Sequence, residues 1–347
     1  MKVLVTGGAG FIGSHFIEFF LRQYSDSQIV NVDCLTYAAH PETPARLLKA
    51  GGGRYQFYKM DIGDPSVAQL IDAHQINAIV NFAAETHVDR SILDPQAFIK
   101  TNILGTQNLL QAARKSGNLR FVHVSTDEVY GSLEPGDPTF TELTSLDPNS
   151  PYAASKAGAD LLALASQRTY QQDILITRCT NNYGPYQFPE KLLPLIIANA
   201  MEDKPIPVYG DGKQIRDWIY VEDHCRGIDA VLQKGKTGEV YNISSSFELT
   251  NLEIIKRTLK LLKKPESLIT FVGDRPAHDR RYGLNPEKIK KELGWSPRFG
   301  LDEGLALTVE WYQNNWAWWQ KVRDKEYYKY YQANYQPKSS TSSEVSS

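Results

Sequence analysis

Tyr152 and Lys156 stand four residues apart in the run Pro151-Tyr152-Ala153-Ala154-Ser155-Lys156, a spacing that sets both side chains on one face of a helix. A free phenol titrates near about 10, so tyrosine acts as a base at neutral pH only where a nearby cation stabilises the phenolate. Lys156 is placed to be that cation. A hydroxyl and two carboxylates, Thr126, Asp127 and Glu128, sit together in Ser125-Thr126-Asp127-Glu128-Val129-Tyr130-Gly131. Hydride transfer at one carbon needs the tyrosine, the lysine and a hydroxyl, but not the carboxylate pair. The pair fits elimination: a carboxylate removes a proton acidified by a neighbouring ketone, and a carboxylic acid protonates the departing hydroxyl. Each signal alone has a plainer reading. A tyrosine and lysine at this spacing arise easily on an amphipathic surface helix, and acidic residues often cap turns.

The run Thr6-Gly7-Gly8-Ala9-Gly10-Phe11-Ile12-Gly13 follows a strand-like segment, and Asp33 closes the next one. Gly7, Gly10 and Gly13 suit a tight turn, close backbone approach to a pyrophosphate, and close packing of the following helix, whose N-terminus then faces the phosphates. A carboxylate at Asp33 can accept hydrogen bonds from both ribose hydroxyls of an adenosine and repels a 2′-phosphate, so NAD is expected rather than NADP.

These groups need a scaffold. Lys2–Thr6, Ile29–Asp33, Tyr55–Met60, Ala78–Phe82, Phe121–Ser125 and Ile174–Cys179 read as strands. They are rich in Val, Ile and Phe and lack polar alternation, which predicts burial on both faces and a parallel sheet with helical crossovers. The fold class expected is α/β: a Rossmann-like doubly wound parallel sheet, with a smaller mixed α/β substrate lobe at the C-terminal side. Residues 1–180 are assigned to the NAD-binding domain, with some later segments returning to it. Residues 181–337 form the substrate lobe and C-terminal helix, the last helical stretch being Leu301–Trp319, and the serine-rich residues 338–347 are expected to be disordered. Trp311, Trp316, Trp318 and Trp319 crowd that last helix, where packing is the expected role.

At 347 residues, with 41% hydrophobic and 22% charged residues, the chain can bury a core and has no apolar run long enough to span a bilayer. A net charge of -2 argues against a nucleic-acid partner. Cys34, Cys179 and Cys225 are far apart, so neither a disulfide framework nor a metal site is expected, and a cytoplasmic location is.

The two runs above, together with Ala83-Ala84-Glu85-Thr86-His87-Val88-Asp89-Arg90-Ser91, Arg178-Cys179-Thr180-Asn181-Asn182-Tyr183-Gly184-Pro185 and Asp274-Arg275-Pro276-Ala277-His278-Asp279-Arg280-Arg281-Tyr282, make Met1 to Pro297 resemble the dTDP-glucose 4,6-dehydratases. The resemblance implies NAD, a nucleoside-diphosphate hexose substrate and three steps: oxidation at C4, loss of water across C5 and C6, and return of the hydride to C6. Tyr152 is then the C4 base, Lys156 its partner, Thr126 a donor to the C4 oxygen, Glu128 the C5 base and Asp127 the C6 acid. Phe11, Ile12, Asp33, Leu35, Thr36, Asp61, Ile62, Ala83, Ala84, Thr101 and Asn182 resemble the family's NAD contacts. Glu85, Thr86, Asn181, Lys191, Leu192, Pro207, Tyr209, Arg216, Asn251, Arg275 and His278 resemble its sugar-nucleotide contacts, the two arginines suiting a diphosphate. By the same resemblance, Pro95–Ser116 and Tyr152–Tyr170 are helices that pair two copies into a homodimer. The chain departs from the family at Ala277, often glycine, and at the Tyr37-Ala38-Ala39-His40 ending. A nucleotide-sugar 4-epimerase and a catalytically silent NAD-binding scaffold are the alternatives; the first has no use for both carboxylates, and the intact Thr126, Tyr152 and Lys156 speak against the second.

Overall fold

Runs of Val, Ile and Phe become strands within one residue of their expected ends: β1 (Lys2–Thr6), β2 (Gln28–Asp33), β3 (Tyr55–Lys59), β4 (Ala78–Asn81), β5 (Arg120–Thr126) and β6 (Ile174–Cys179). The computed structural model describes residues 1–323. Further along lie β7 (Asn181–Tyr183), β8 (Ile206–Tyr209), β9 (Ile215–Tyr220), β10 (Val240–Ile243), β11 (Glu248–Thr250) and β12 (Ile269–Val272). Seven strands pair in the order β10-β6-β5-β4-β1-β2-β3, every pairing parallel. β1 lies between β2 and β4, so the winding reverses there and opens a crevice at the strands' carboxyl ends. The glycine run leaves β1 at that crevice, and β5 delivers Thr126 into it opposite Cys179 of β6.

β1, β4 and β6 are buried along nearly their whole length because helices cover each side of the sheet. On one side Phe16, Phe20, Ile228 and Val231 join Val3, Val5 and Val122; on the other Ile71, Leu109, Leu110 and Ala163 join Leu4, Ile79 and Phe121. A third core gathers Ile196, Ile197, Trp218, Ile255, Leu259, Leu305 and Trp319. It underlies the second lobe, with its β11-β9-β7 sheet and β12-β8 pair. β10 lies beyond residue 181 in the chain and nevertheless completes the large sheet against β6.

Two helical readings need correction. The stretch expected over Leu301–Trp319 is two helices, Leu301–Asn314 and Trp316–Val322, broken where Asn315 leaves helical geometry and its side chain donates to Trp311 O at 2.8 Å. Pro95–Ser116 likewise divides into Pro95–Phe98, a wider π-helical segment Ile99–Gly105, and Thr106–Lys115. A Cβ on Gly105 would lie 2.6 Å from Ile62 Cδ1, so this turn packs closer to the sheet's loops than a regular helix with larger residues could. The serine-rich tail and residues 324–337, assigned from the sequence to the substrate lobe, lie outside the described residues.

Candidate active site

The first wall is the turn after β1. Gly7 adopts a left-handed φ of +69°, and a Cβ there would meet Ala83 N at 2.6 Å; one on Gly13 would meet Gly7 O at 2.4 Å. Only glycine lets the turn press on the end of β4 while the helix Phe11–Gln23 starts directly above it. Gly10 caps that helix with no side-chain bond, leaving first-turn N–H groups to an anion. Asp33, 8% exposed, accepts from Ala9 N at 2.9 Å through Oδ2 and from Leu35 N at 2.8 Å through Oδ1. Each oxygen keeps lone-pair capacity for a ribose hydroxyl. Burial raises the Asp33 pKa, against the pull of the two backbone N–H groups.

A cleft of about 290 Å³ runs from this turn to the end of β5. Gly7, Gly10, Phe11, Ile12, Gly13, Asp33, Thr36, Asp61, Ile62, Ala83, Ala84, Thr101 and Asn182 line it, as do Thr126, Asp127, Glu128, Tyr152, Lys156, Glu85, Thr86, Asn181 and Lys191. The turn, the open helix end and Asp33 thus fit a dinucleotide: backbone donors for a pyrophosphate and an acceptor for ribose lie in one groove. Leu35 does not line the cleft; its backbone, at φ 57°, serves by fixing Asp33.

At the far end, Ser150 caps the helix Pro151–Tyr170 by accepting from Ala153 N at 3.1 Å. Ser91 Oγ accepts from Tyr152 N at 3.1 Å, and Lys156 Nζ donates to Val124 O at 2.8 Å, tying the reactive face to β5. The turn Asp127–Tyr130 is capped by Thr126, whose hydroxyl accepts from Glu128 N at 3.3 Å and donates to Asp127 Oδ1 at 3.1 Å. The capping role therefore falls to threonine. The carboxylates remain available for chemistry.

Burial drives the Asp127 pKa far above the carboxylate range, and the negative charge of Glu128 adds to it; its Oδ2 has no hydrogen-bond partner among the described residues. Glu128 is also raised by burial, but Arg275, Arg216 and Lys191 all pull it down. Both carboxyls are pushed toward the protonated form by burial, but only Glu128 has three cations opposing that push, so their proton affinities are drawn apart. Burial raises Tyr152 well above its ordinary value, helped by Glu128, while a Thr126 hydrogen bond opposes it. Burial lowers Lys156 to about 8, with Asp160 pulling the other way. Without a further cation the phenol holds its proton, and a positively charged ring beside it would favour phenolate.

Leu192, Pro207, Tyr209, Arg216, Asn251, Arg275 and His278 do not line the cleft but stand beyond its end in the second lobe. Arg275 Nη1 bonds Asp89 Oδ1 at 2.9 Å, and Tyr209 OH bonds Asp89 Oδ2 at 3.3 Å. The Tyr209 and His278 rings meet edge-on at 6.0 Å, and Arg216 lies over the Tyr282 ring at 4.2 Å. Asn251 keeps a buried Oδ1 without a partner among the described residues. Ala277 has φ 51°, the left-handed region that explains glycine at this place in the family pattern. Asp89 and Glu190 were not singled out from the sequence. Glu190 bonds Arg90 Nε at 3.3 Å, and the Arg90 guanidinium lies 3.7 Å over the Tyr37 ring; the acidic residue beside Lys191 was the available signal. Among the described residues no group of three or more His, Cys, Asp or Glu is placed to hold a metal.

The family described as GDP-mannose 4,6 dehydratase matches residues 4–308. The dTDP-glucose 4,6-dehydratase of Xanthomonas campestris pv. campestris (strain B100) is 50% identical, the match covering 93% of this chain and 96% of that protein. The dTDP-glucose 4,6-dehydratase 1 of Escherichia coli K12 is 47% identical over 97% and 99% of the two chains. The crystal structure of a Streptomyces venezuelae dTDP-glucose 4,6-dehydratase with NAD bound has a TM-score of 0.89 at 48% identity, covering 93% of this chain and all of that one. The UDP-glucose 4-epimerase of Thermotoga maritima has the same fold at 29% identity, with a TM-score of 0.84 and coverage of 91% and 100%.

Proposed function

The chain belongs to the dTDP-glucose 4,6-dehydratase family, and on that premise we propose how its own residues divide the work. The reaction is NAD-dependent dehydration of dTDP-glucose to dTDP-4-keto-6-deoxyglucose, catalysed by a hydro-lyase. NAD, which Gly7, Gly10, Gly13 and Asp33 would hold in the groove, would supply the hydride chemistry that joins oxidation at C4 to reduction at C6. Tyr152 takes the C4 hydroxyl proton, with Lys156 holding the phenolate and Thr126 hydrogen-bonding the C4 oxygen. Glu128 removes the C5 proton that the new ketone acidifies and gives a proton back to C5 when the hydride returns to C6. Asp127 protonates the C6 oxygen, which leaves as water. The single observation supporting this division is the split surroundings of the two carboxylates, Asp127 driven far up by burial and Glu128 facing three cations that oppose its rise.

Arg216 and Arg275 are the proposed diphosphate ligands, and residues 181–337 the proposed substrate lobe. Leu93, Ile99, Leu104 and Leu161 are exposed on the helices Val88–Leu93 and Pro151–Tyr170 and the π-helical segment between them, which supports pairing of two copies through this face. Sedimentation showing monomer alone at micromolar concentration removes the homodimer. The free thiols fit a reducing compartment such as the cytoplasm.

Incubation of the protein with dTDP-glucose, followed by product mass and alkali-induced absorbance, tests the reading. Loss of one water supports it. Conversion to an isomer of unchanged mass identifies an epimerase instead, the reading under which Asp127 and Glu128 have no joint task.

A further inference from the structure

The crowded tryptophans have no part in the chemistry described, and one of them, Trp318, backs the loop that walls the cofactor end of the cleft. The loop after β2 supplies Thr36, Ala38 and Ala39 to the cleft wall. Its inner half is held by Tyr37, whose ring meets Phe188 edge-on at 5.7 Å beneath the Arg90 guanidinium. Its outer half is held by the helix Trp316–Val322. Trp318 lies 5.1 Å from the His40 ring, and the exposed pair Lys321–Glu42 stands at 3.3 Å.

Trp318 also contacts Tyr186 at 5.3 Å and Trp311 at 5.1 Å. Tyr186 adopts φ 63°, a left-handed conformation that a tyrosine keeps only where its surroundings impose it. Its ring packs edge-on against His15 at 5.9 Å and under Arg46 at 4.0 Å, and His15 Nδ1 bonds Phe11 O at 2.9 Å. A small pocket bounded by Gly10, Phe11, Ala38, His40, Trp318 and Val322 marks where this helix meets the back of both the glycine turn and the loop. Two walls of the dinucleotide groove therefore lean on one aromatic side chain that never enters the groove.

We propose that Trp318 is a positioning residue for the cofactor: packed between His40 and Tyr186, it latches the loop over the groove and sets how long NAD stays bound. The proposal rests on the dehydratase reading, in which electrons leave and return within one turnover and the cofactor has no reason to depart. Lys321–Glu42 contributes little, since both side chains are in water. His40 stands where the family pattern ends differently, so the aromatic latch is a feature of this chain's own loop.

The test uses the full chain loaded with NADH, whose bound fluorescence is followed after a chase of excess NAD. Trp318→Ala is expected to speed release by about tenfold or more, while dehydration at saturating added NAD stays within about twofold and Trp318→Phe releases at near the parent rate. His40→Ala, a change in a half-buried loop side chain, is expected to speed release in the same direction and covers the case of a misfolded Trp318→Ala. Unchanged release in either folded variant, judged by circular dichroism and thermal midpoint, overturns the latch. A parent protein that holds NADH tightly but dehydrates no sugar nucleotide removes the dehydratase reading and leaves the latch standing.

Discussion

Asp127 and Glu128 are consecutive in the chain, yet one is 2% exposed with an unpartnered oxygen and the other faces Arg275, Arg216 and Lys191. The backbone turn between them, capped by Thr126, is what directs neighbouring side chains into unlike surroundings. Two carboxyl groups with different proton affinities at one bond are what an elimination requires.

Exchanging them one at a time separates their roles. Glu128→Gln is expected to abolish exchange of the C5 proton with solvent deuterium and to slow dehydration by about 10²- to 10⁴-fold. Asp127→Asn is expected to retain the exchange while losing the elimination by a similar factor. Mass spectrometry of recovered sugar nucleotide reads both, and a Glu128→Gln variant that still exchanges C5 contradicts the assignment.

Asp127 should also cost the fold stability at neutral pH. Its folded pKa is raised, so the unfolded chain loses this proton first and the folded state binds more protons as pH rises above the ordinary Asp value. Stability from this group therefore falls with rising pH. Asp127→Asn removes the penalty and is expected to gain about 1–2 kcal/mol near neutrality and nothing near pH about 3.5. Urea unfolding at the two pH values checks it; equal gains at both would falsify the electrostatic account.

In the proposed mechanism Lys156 is charged when it holds the Tyr152 phenolate, and burial brings it down to about 8. The proton is lost as pH rises through that value, so kcat for dehydration is expected to decline on the alkaline side from about pH 8. A rate still climbing above pH about 9 would show that the lysine's charge is dispensable.

Asp33 is the residue expected to select the cofactor. Asp33→Asn removes the charge that repels a 2′-phosphate and weakens the grip on the ribose, and the backbone donors at Ala9 and Leu35 lose a charged acceptor. NAD affinity is expected to fall by about tenfold or more while the ratio of NADP to NAD affinity rises. Calorimetric titration with both dinucleotides measures it, and an unchanged ratio places the discrimination elsewhere.

Much of the site was legible because it obeys local rules. A glycine turn at φ +69°, strands of apolar residues in a sheet covered on both sides, and a tyrosine and lysine one helical turn apart are each consequences of a few neighbouring residues. Expected ends of helices fared worse. The π-helical segment Ile99–Gly105 packs against Ile62, and the break at Asn315 falls between two helices that both pack on the core of the second lobe; a period of apolar residues encodes neither.

By itself the amino-acid order determined the kind of fold and the glycine turn, and it named the candidate reactive groups, since those depend on backbone geometry and side-chain chemistry within short spans. Tertiary structure alone decided which partners those groups meet. Arg275 pairs with Asp89 across 186 positions, Trp318 leans on His40 from the other end of the chain, and the Asp127 carboxyl is pushed far up because the surrounding structure buries it. Desolvation and ion pairing are sums over everything packed nearby, and that neighbourhood exists only once distant segments have come together.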